Sequence, residues 1–293
     1  MKGETTGAAA TRAAPRLSPV GMLVRQHDRD RYQTALFAPA ARREALFALY
    51  AFNYEVARVR ESVTTPMLGQ IRLQWWREVV DAAFSGTAPR AHVVAAPLTA
   101  AIRDFGLSRA PFDRLIDARE CDLLDEPPAT LAALEDYADA TSGGLIELAL
   151  EVLGISQPAA RTAAREIGIG YTLAGLLRAM PFHARAGRRY IPADAGARFG
   201  LDPADYAGLR DSTGLRAAAA EIAEAAAGHL RAARRHRSEV PRRAHAALLP
   251  AVVAERFLAR LAHAGHNPFA PELAIPDPLQ SWRLFAAAFR GRF

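Results

Sequence analysis

Along most of the chain, apolar residues recur at intervals of three and four, the spacing of one face of an α-helix. Residues 41–61, ARREALFALYAFNYEVARVRE, set Leu46, Leu49, Tyr50, Phe52 and Val56 on such a face, and Pro39 stands where a helix start tolerates it. Thr64, Thr65 and Pro66 interrupt the pattern. It resumes over 67–84, with Leu68, Ile71, Trp75 and Val79 as the expected buried stripe. Pro111 opens a helix through FDRLIDARECDLL, which Glu126-Pro127-Pro128 closes. Segments 129–153 and 157–182 predict two apolar helices, and 214–236 and 241–264 two Ala-rich amphipathic ones. A last segment, 278–290, carries Trp282 and Phe285. Asp202-Pro203 reads as an N-cap followed by a first-turn proline. Alternating strand patterns, a fixed repeat and a long polar linker are all missing, so the expectation is one all-α domain over 21–293. Residues 1–20, rich in Ala, Thr, Pro and Gly, read as a disordered tail.

Charge and cysteine usage narrow the function classes. The net charge is +6 over 293 residues, carried almost wholly by arginine, with Lys2 the single lysine. The basic residues are spread out, and RAARRHR (231–237) lacks the aromatics that stack bases, so it reads as a solvated helix face and no nucleic-acid partner is expected. Cys121 stands alone, which excludes an internal disulfide and a multi-cysteine zinc site. The chain has no charge-free apolar run of about 18 residues, so no transmembrane helix is expected, and residues 1–20 lack a secretory apolar core. A cytoplasmic protein with contact at a membrane surface fits these features. Phosphate-binding and dinucleotide glycine loops are absent, and Ser142-Gly143-Gly144 lies in a helical context rather than at a nucleophile elbow. Asp113 and Asp117 share a helical face, but Arg114, Arg119 and Glu120 around them suggest an exposed charged surface rather than a metal site.

Ordered sequence blocks then point to a family. His27, Pro39 and Tyr50-Ala51-Phe52 in the segment 27–62, Trp75-Trp76-Arg77, Asp122-Leu123, Tyr137 with Gly143, and YTLAGLLRAMPFHARAGRRYIP (171–192) follow one another without gaps within each block. Together they resemble the squalene/phytoene synthase family over roughly residues 22–265. The resemblance implies an isoprenoid-synthase-type helical bundle with a central apolar pocket. It also implies head-to-head joining of two prenyl diphosphates, with Mg²⁺ bridging the leaving diphosphate to aspartates on two facing helical motifs.

At those motif positions this chain carries other residues. Ala57 and Arg58 stand where paired aspartates would be, and Glu61 where the last acid would be. Ala179 and His183 occupy the two aspartate positions of the second motif, with Phe182 between them. Tyr54 replaces the family arginine, and Thr172 and Gly175 replace polar Gln and Asn. Only Glu61 keeps a carboxylate, so no metal or other cofactor is expected. His27, Glu61, Tyr137, Arg178 and Arg188 remain as a remnant pocket, read either as an anion or isoprenoid site or, preferably, as side chains now bonded within the core. AFNYEVARVRESV, RLQWWREVV, LLRAMPFH and QSWR further resemble the branch of the family that serves mitochondrial respiratory complex I (NADH:ubiquinone oxidoreductase) assembly. That resemblance implies a non-enzymatic assembly factor whose partner is a complex I subunit or assembly intermediate. It would work in the cytoplasm at the inner membrane, or in the matrix of a eukaryote. Two alternatives stay open: a prenyltransferase using Mg²⁺ that recruits Glu55, Glu61 and Asp139, and an isoprenoid-binding or lipid-binding module.

Overall fold

The computed structural model describes residues 17–293, and the predicted tail up to residue 16 lies outside them. The chain forms α1 (Pro19–His27), α2 (Arg29–Ala35), α3 (Ala40–Ala57), α4 (Pro66–Ser85), α5 (Ala95–Phe105), α6 (Ala110–Ala118), α7 (Leu131–Ala138) and α8 (Gly144–Val152). It continues with α9 (Pro158–Arg178), α10 (Met180–Arg185), α11 (Ala193–Arg198), α12 (Pro203–Ala207), α13 (Thr213–Arg235), α14 (His245–Leu248), α15 (Pro250–His263) and α16 (Gln280–Phe289). Among the described residues there is no strand, so the all-α expectation holds.

Local chemistry sets many of the boundaries. Ser18, Asp28, Thr65, Thr130, Asp202 and Ser212 each accept a backbone N–H in the first turn of the helix they precede, and Pro19, Pro66 and Pro203 fill first-turn positions that need no donor. Helix α1 therefore begins two residues inside the segment read as tail, and Val20 is buried. The apolar face predicted for 41–61 is buried as expected.

The stripe predicted for α4 needs correction. Leu68 and Ile71 are exposed, while Gly69, Leu73, Trp76, Val80 and Ala83 face the core together with Val79. This helix is apolar on more than one side, so spacing alone permits either rotation. Close packing settles it: a Cβ added at Gly69 would run into the Leu123 side chain.

Helix α9 runs through the centre, packed on α7, α8, α13 and α15. Its Gly168 and Gly170 carry the low helix propensity of glycine, yet both sit at close crossings. A Cβ at Gly168 would lie 2.5 Å from the Cα of Gly143, and one at Gly170 would lie 2.9 Å from the carbonyl oxygen of Ala226 on α13. Gly143 belongs to a π-helical turn, Asp139–Gly143, that joins α7 to α8 and bulges toward α9. The Arg-rich segment also departs from a plain solvated face: Arg234 and Arg237 donate to the carbonyls of Phe293 and Gly291.

Gly168→Ala is therefore expected to destabilise the fold by about 2–3 kcal/mol, because backbone rather than a flexible side chain blocks the added methyl. Urea unfolding measures this, and Gly196→Ala, whose Cβ would meet nothing closer than 3.9 Å, serves as the control.

Candidate functional site

A cavity of about 280 Å³ opens between α3, α7, α9 and the α1–α2 junction. His27, Tyr137 and Arg178 line it, as do Asp28, Arg31, Asn53, Arg119 and Ser142. Its lining is thus mostly polar, unlike the apolar pocket that the resemblance implies. Arginines enter from three directions, and each meets an aspartate. Arg31, buried, donates to Asp28 at 2.8 Å and to the Ser142 hydroxyl at 3.0 Å, with its guanidinium 4.9 Å from the centre of the Tyr171 ring. Arg119 donates to Asp122 at 3.1 Å and to the Tyr137 hydroxyl at 2.6 Å. Arg178 donates to Asp30 at 2.8 Å, and Gln280 at the start of α16 donates to the other oxygen of Asp30 at 2.8 Å.

Burial alone would disfavour these charges, but the pairs preserve them. It works against the Arg31 cation, yet Asp28 and Tyr171 raise its pKa above the ordinary value. Arg119 is likewise raised, by Tyr137 and Asp122 against desolvation. Burial pushes Asp30 up, but Arg178 and the Gln280 hydrogen bond outweigh it and hold the carboxyl below its usual range. Asp122 is the hub of the second cluster, also accepting from the hydroxyls of Tyr137 at 2.9 Å and Tyr190 at 2.8 Å.

The two motif ends carry neither metal ligands nor a free acid. Ala57 closes α3, and Arg58 turns back to Glu55 at 3.7 Å and lies over the Tyr54 ring, whose other partner is the stacked His27 ring at 4.4 Å. Glu61 faces Arg188 at 3.8 Å, so these two remnant residues pair outside the cavity that His27, Tyr137 and Arg178 line. Ala179 caps α9, Phe182 is exposed, and the His183 ring packs on Tyr190 at 4.7 Å with its Nδ1 buried and unpartnered. Asp139, the third acid considered for recruitment, is bound by Arg165 at 2.9 Å. Asp113 and Asp117 are likewise taken, by Arg109 and Arg77.

A model of the squalene/phytoene synthase family matches residues 24–287. The chain belongs to this family. It is 32% identical over 271 residues to "NADH dehydrogenase (ubiquinone) complex I, assembly factor 6" of Bos taurus, spanning 92% of this chain and 81% of that protein. Presqualene diphosphate synthase of Rhodopseudomonas palustris is 26% identical over 213 residues, spanning 72% and 75%. The crystal structure of a squalene synthase from Alicyclobacillus acidocaldarius shares the fold, with a TM-score of 0.75 over 85% of this chain and 94% of that one, at 24% identity.

The magnesium that a squalene/phytoene synthase employs does not fit these residues. Mg²⁺ demands oxygen donors in a near-octahedral arrangement. The motif positions offer methyl groups, a guanidinium, a phenyl ring, an imidazole and one carboxylate, Glu61, which faces Arg188, and the neighbouring carboxylates are each held by arginine. Among the described residues, no group of three His, Cys, Asp or Glu side chains is placed to hold a metal. There is open space at Gly175, where the resemblance implies asparagine: a Cβ there would meet nothing within 4 Å, and the Thr172 hydroxyl is buried without a partner. Arg31 and Arg119, with Asp28, Asp30 and Asn53, are site residues that the sequence did not point to. HDRDR (27–31), with acids and arginines two apart, held a signal for the first, whereas Arg119 looked like part of an exposed charged helix.

Two outcomes follow. Asp122→Ala strands Arg119 and two tyrosine hydroxyls and is expected to cost about 3–5 kcal/mol, measured by chemical unfolding. Burial and the nearby Arg188 lower the His183 pKa from 6.5 to about 4, so the folded ring stays neutral where the unfolded one takes a proton. Stability should therefore fall as pH drops through about 6.5 and level off below about 4, by about 3 kcal/mol in total. Thermal unfolding of His183→Gln across this range should show a shallower acid slope than the parent.

Proposed function

We propose that this chain is a non-enzymatic assembly factor for respiratory complex I, acting through contact with a complex I subunit or assembly intermediate. The observation that carries this reading is similarity to the assembly factor 6 proteins along 92% of the chain, through the segments where the synthase acids are replaced. Head-to-head prenyl coupling needs positive charge delivered to a leaving diphosphate by bridging metals, and the arginine-bound carboxylates here are ill suited to hold them. Glu55, Glu61 and Asp139, the acids an active enzyme would recruit, each face an arginine as well. The proposed place of action is the cytoplasmic or matrix face of the inner membrane. No described helix is long and apolar enough to cross a membrane.

Deleting the gene in its own host is expected to lower NADH:ubiquinone oxidoreductase activity and the amount of assembled complex, with both restored by the wild-type gene. Unchanged activity would overturn the proposal. In parallel, purified protein supplied with farnesyl or geranylgeranyl diphosphate and Mg²⁺ is expected to release no pyrophosphate above the uncatalysed background.

A further inference from the structure

Helix α16 is apolar on both sides. Its inner side, Leu284 with Ala287 and Ala288, packs on the body of the protein. Its outer side carries Leu279 from the preceding cap, Trp282, Phe285 and Phe289, which are 51%, 71%, 54% and 77% exposed. At 100° per residue these four fall within an arc of about 120°, roughly opposite Leu284. The three rings form a ladder: Trp282 meets Phe285 edge-on at 6.2 Å, and Phe285 stacks on Phe289 at 6.4 Å. Single exposed apolar residues are ordinary, but a contiguous aromatic stripe on one helix marks a surface built to be covered.

The charges around the stripe have one sign. Arg25 and Arg29 share a groove of about 490 Å³ with Ser281 and Leu284 of α16, and the exposed Leu36 and Phe37 extend its apolar rim. Arg25, Arg29 and Arg290 are exposed. Across α1, α2 and α16 the acids are Asp28, at the junction of the first two, and Asp30; Arg31 binds Asp28, and Arg178 and Gln280 occupy Asp30. Asp277, just before α16, is bound by Arg256 and Arg283. An aromatic stripe edged by arginines, with no available carboxylate, matches the negative surface of a lipid leaflet, where Trp settles at the headgroup level and arginines meet phosphates.

We propose that the outer face of α16, with Arg25, Arg29 and Arg290 beside it, is a docking surface for an anionic lipid bilayer, on which the helix lies flat with its rings at the boundary between headgroups and acyl chains. This inference rests on the inner-membrane placement proposed above and names the surface that makes the contact, whereas the contact with complex I does not depend on it.

The test is co-sedimentation of the full chain with vesicles of phosphatidylcholine and phosphatidylglycerol, compared with pure phosphatidylcholine. Binding is expected to the mixed vesicles, with a blue shift of tryptophan emission. Trp282→Ser/Phe285→Ser/Phe289→Ser should bind roughly tenfold or more weakly at unchanged thermal stability, since these side chains contribute little to the fold. Arg25→Gln/Arg29→Gln should lose about fivefold per charge on the anionic vesicles alone. No binding of the parent chain to mixed vesicles would overturn the proposal, as would equal binding by the serine variant. Concentration-dependent dimerisation abolished by the serine variant, without vesicle binding, would assign the face to a second copy of the chain and overturn it equally.

Discussion

The interior of this bundle rests on matched charge. Three aspartates face the central cavity or its margin, and each is answered by an arginine within 3.1 Å. Taking a carboxylate or a guanidinium out of water costs several kcal/mol, and attraction offsets that cost only where hydrogen bonds complete the pair. Here they do: Ser142 on Arg31, Tyr137 and Tyr190 around Asp122, and Gln280 on Asp30. A synthase site of this fold works from the opposite arrangement, with acids left over for divalent ions, whereas in this chain the cations are built into the protein as side chains. The same helices thus enclose a site with no surplus of negative charge.

The pairs stay in register because the backbones around them approach closely. Gly168 lets α9 lie against the π-helical turn that carries Ser142, and the turn in turn places Ser142 under Arg31. Gly170 lets α13 close on the next turn of α9. Side chains on α9 then reach outward from a fixed axis: Tyr171 to the face of Arg31 and Arg178 to Asp30. Packing and electrostatics are therefore coupled here, since displacing α9 by even a methyl group would move Arg178 from Asp30 and the Tyr171 ring from Arg31.

How much of this was legible in the sequence differed by feature. Helices α3, α9 and α13 were plain because long runs repeat the helical period, with Pro39, Pro158 and the Ser212 cap marking their starts. Helix α5 and the short α1 and α2 escaped the pattern, α2 being only seven residues long. Rotation of α4 was misread because its first turns are apolar on more than one side, and the deciding contact is with Leu123, far along the chain. Among the site residues, His27, Tyr137 and Arg178 were visible through the family motifs and do meet around one cavity, whereas Glu61 and Arg188 pair elsewhere. Arg31 and its ion-pair partner Asp28 stand three apart in HDRDR, a local signal, whereas the Ser142 hydroxyl that completes the pair is 111 residues away, a separation at which no local pattern speaks. The replaced acids were the most readable feature, because ligand chemistry depends on residue type alone.

Gln280 joins the buried charge network to the outer surface. Its amide donates to Asp30 and to Gln33, so the first turn of α16 is anchored to the same α2 segment that supplies the Asp30–Arg178 pair. Gln33 also donates to Ser281 at 3.0 Å, and beyond these bonds α16 rests on Leu284 and a few alanines, a small apolar contact for a helix of ten residues. That anchor lets the helix turn three large rings to solvent without collapsing onto the body to bury them. A chain with no use for an exposed aromatic ladder would gain stability by rotating it inward or replacing it with polar residues. The placing of the ladder beside a polar anchor therefore argues that its exposure is held in place by the fold.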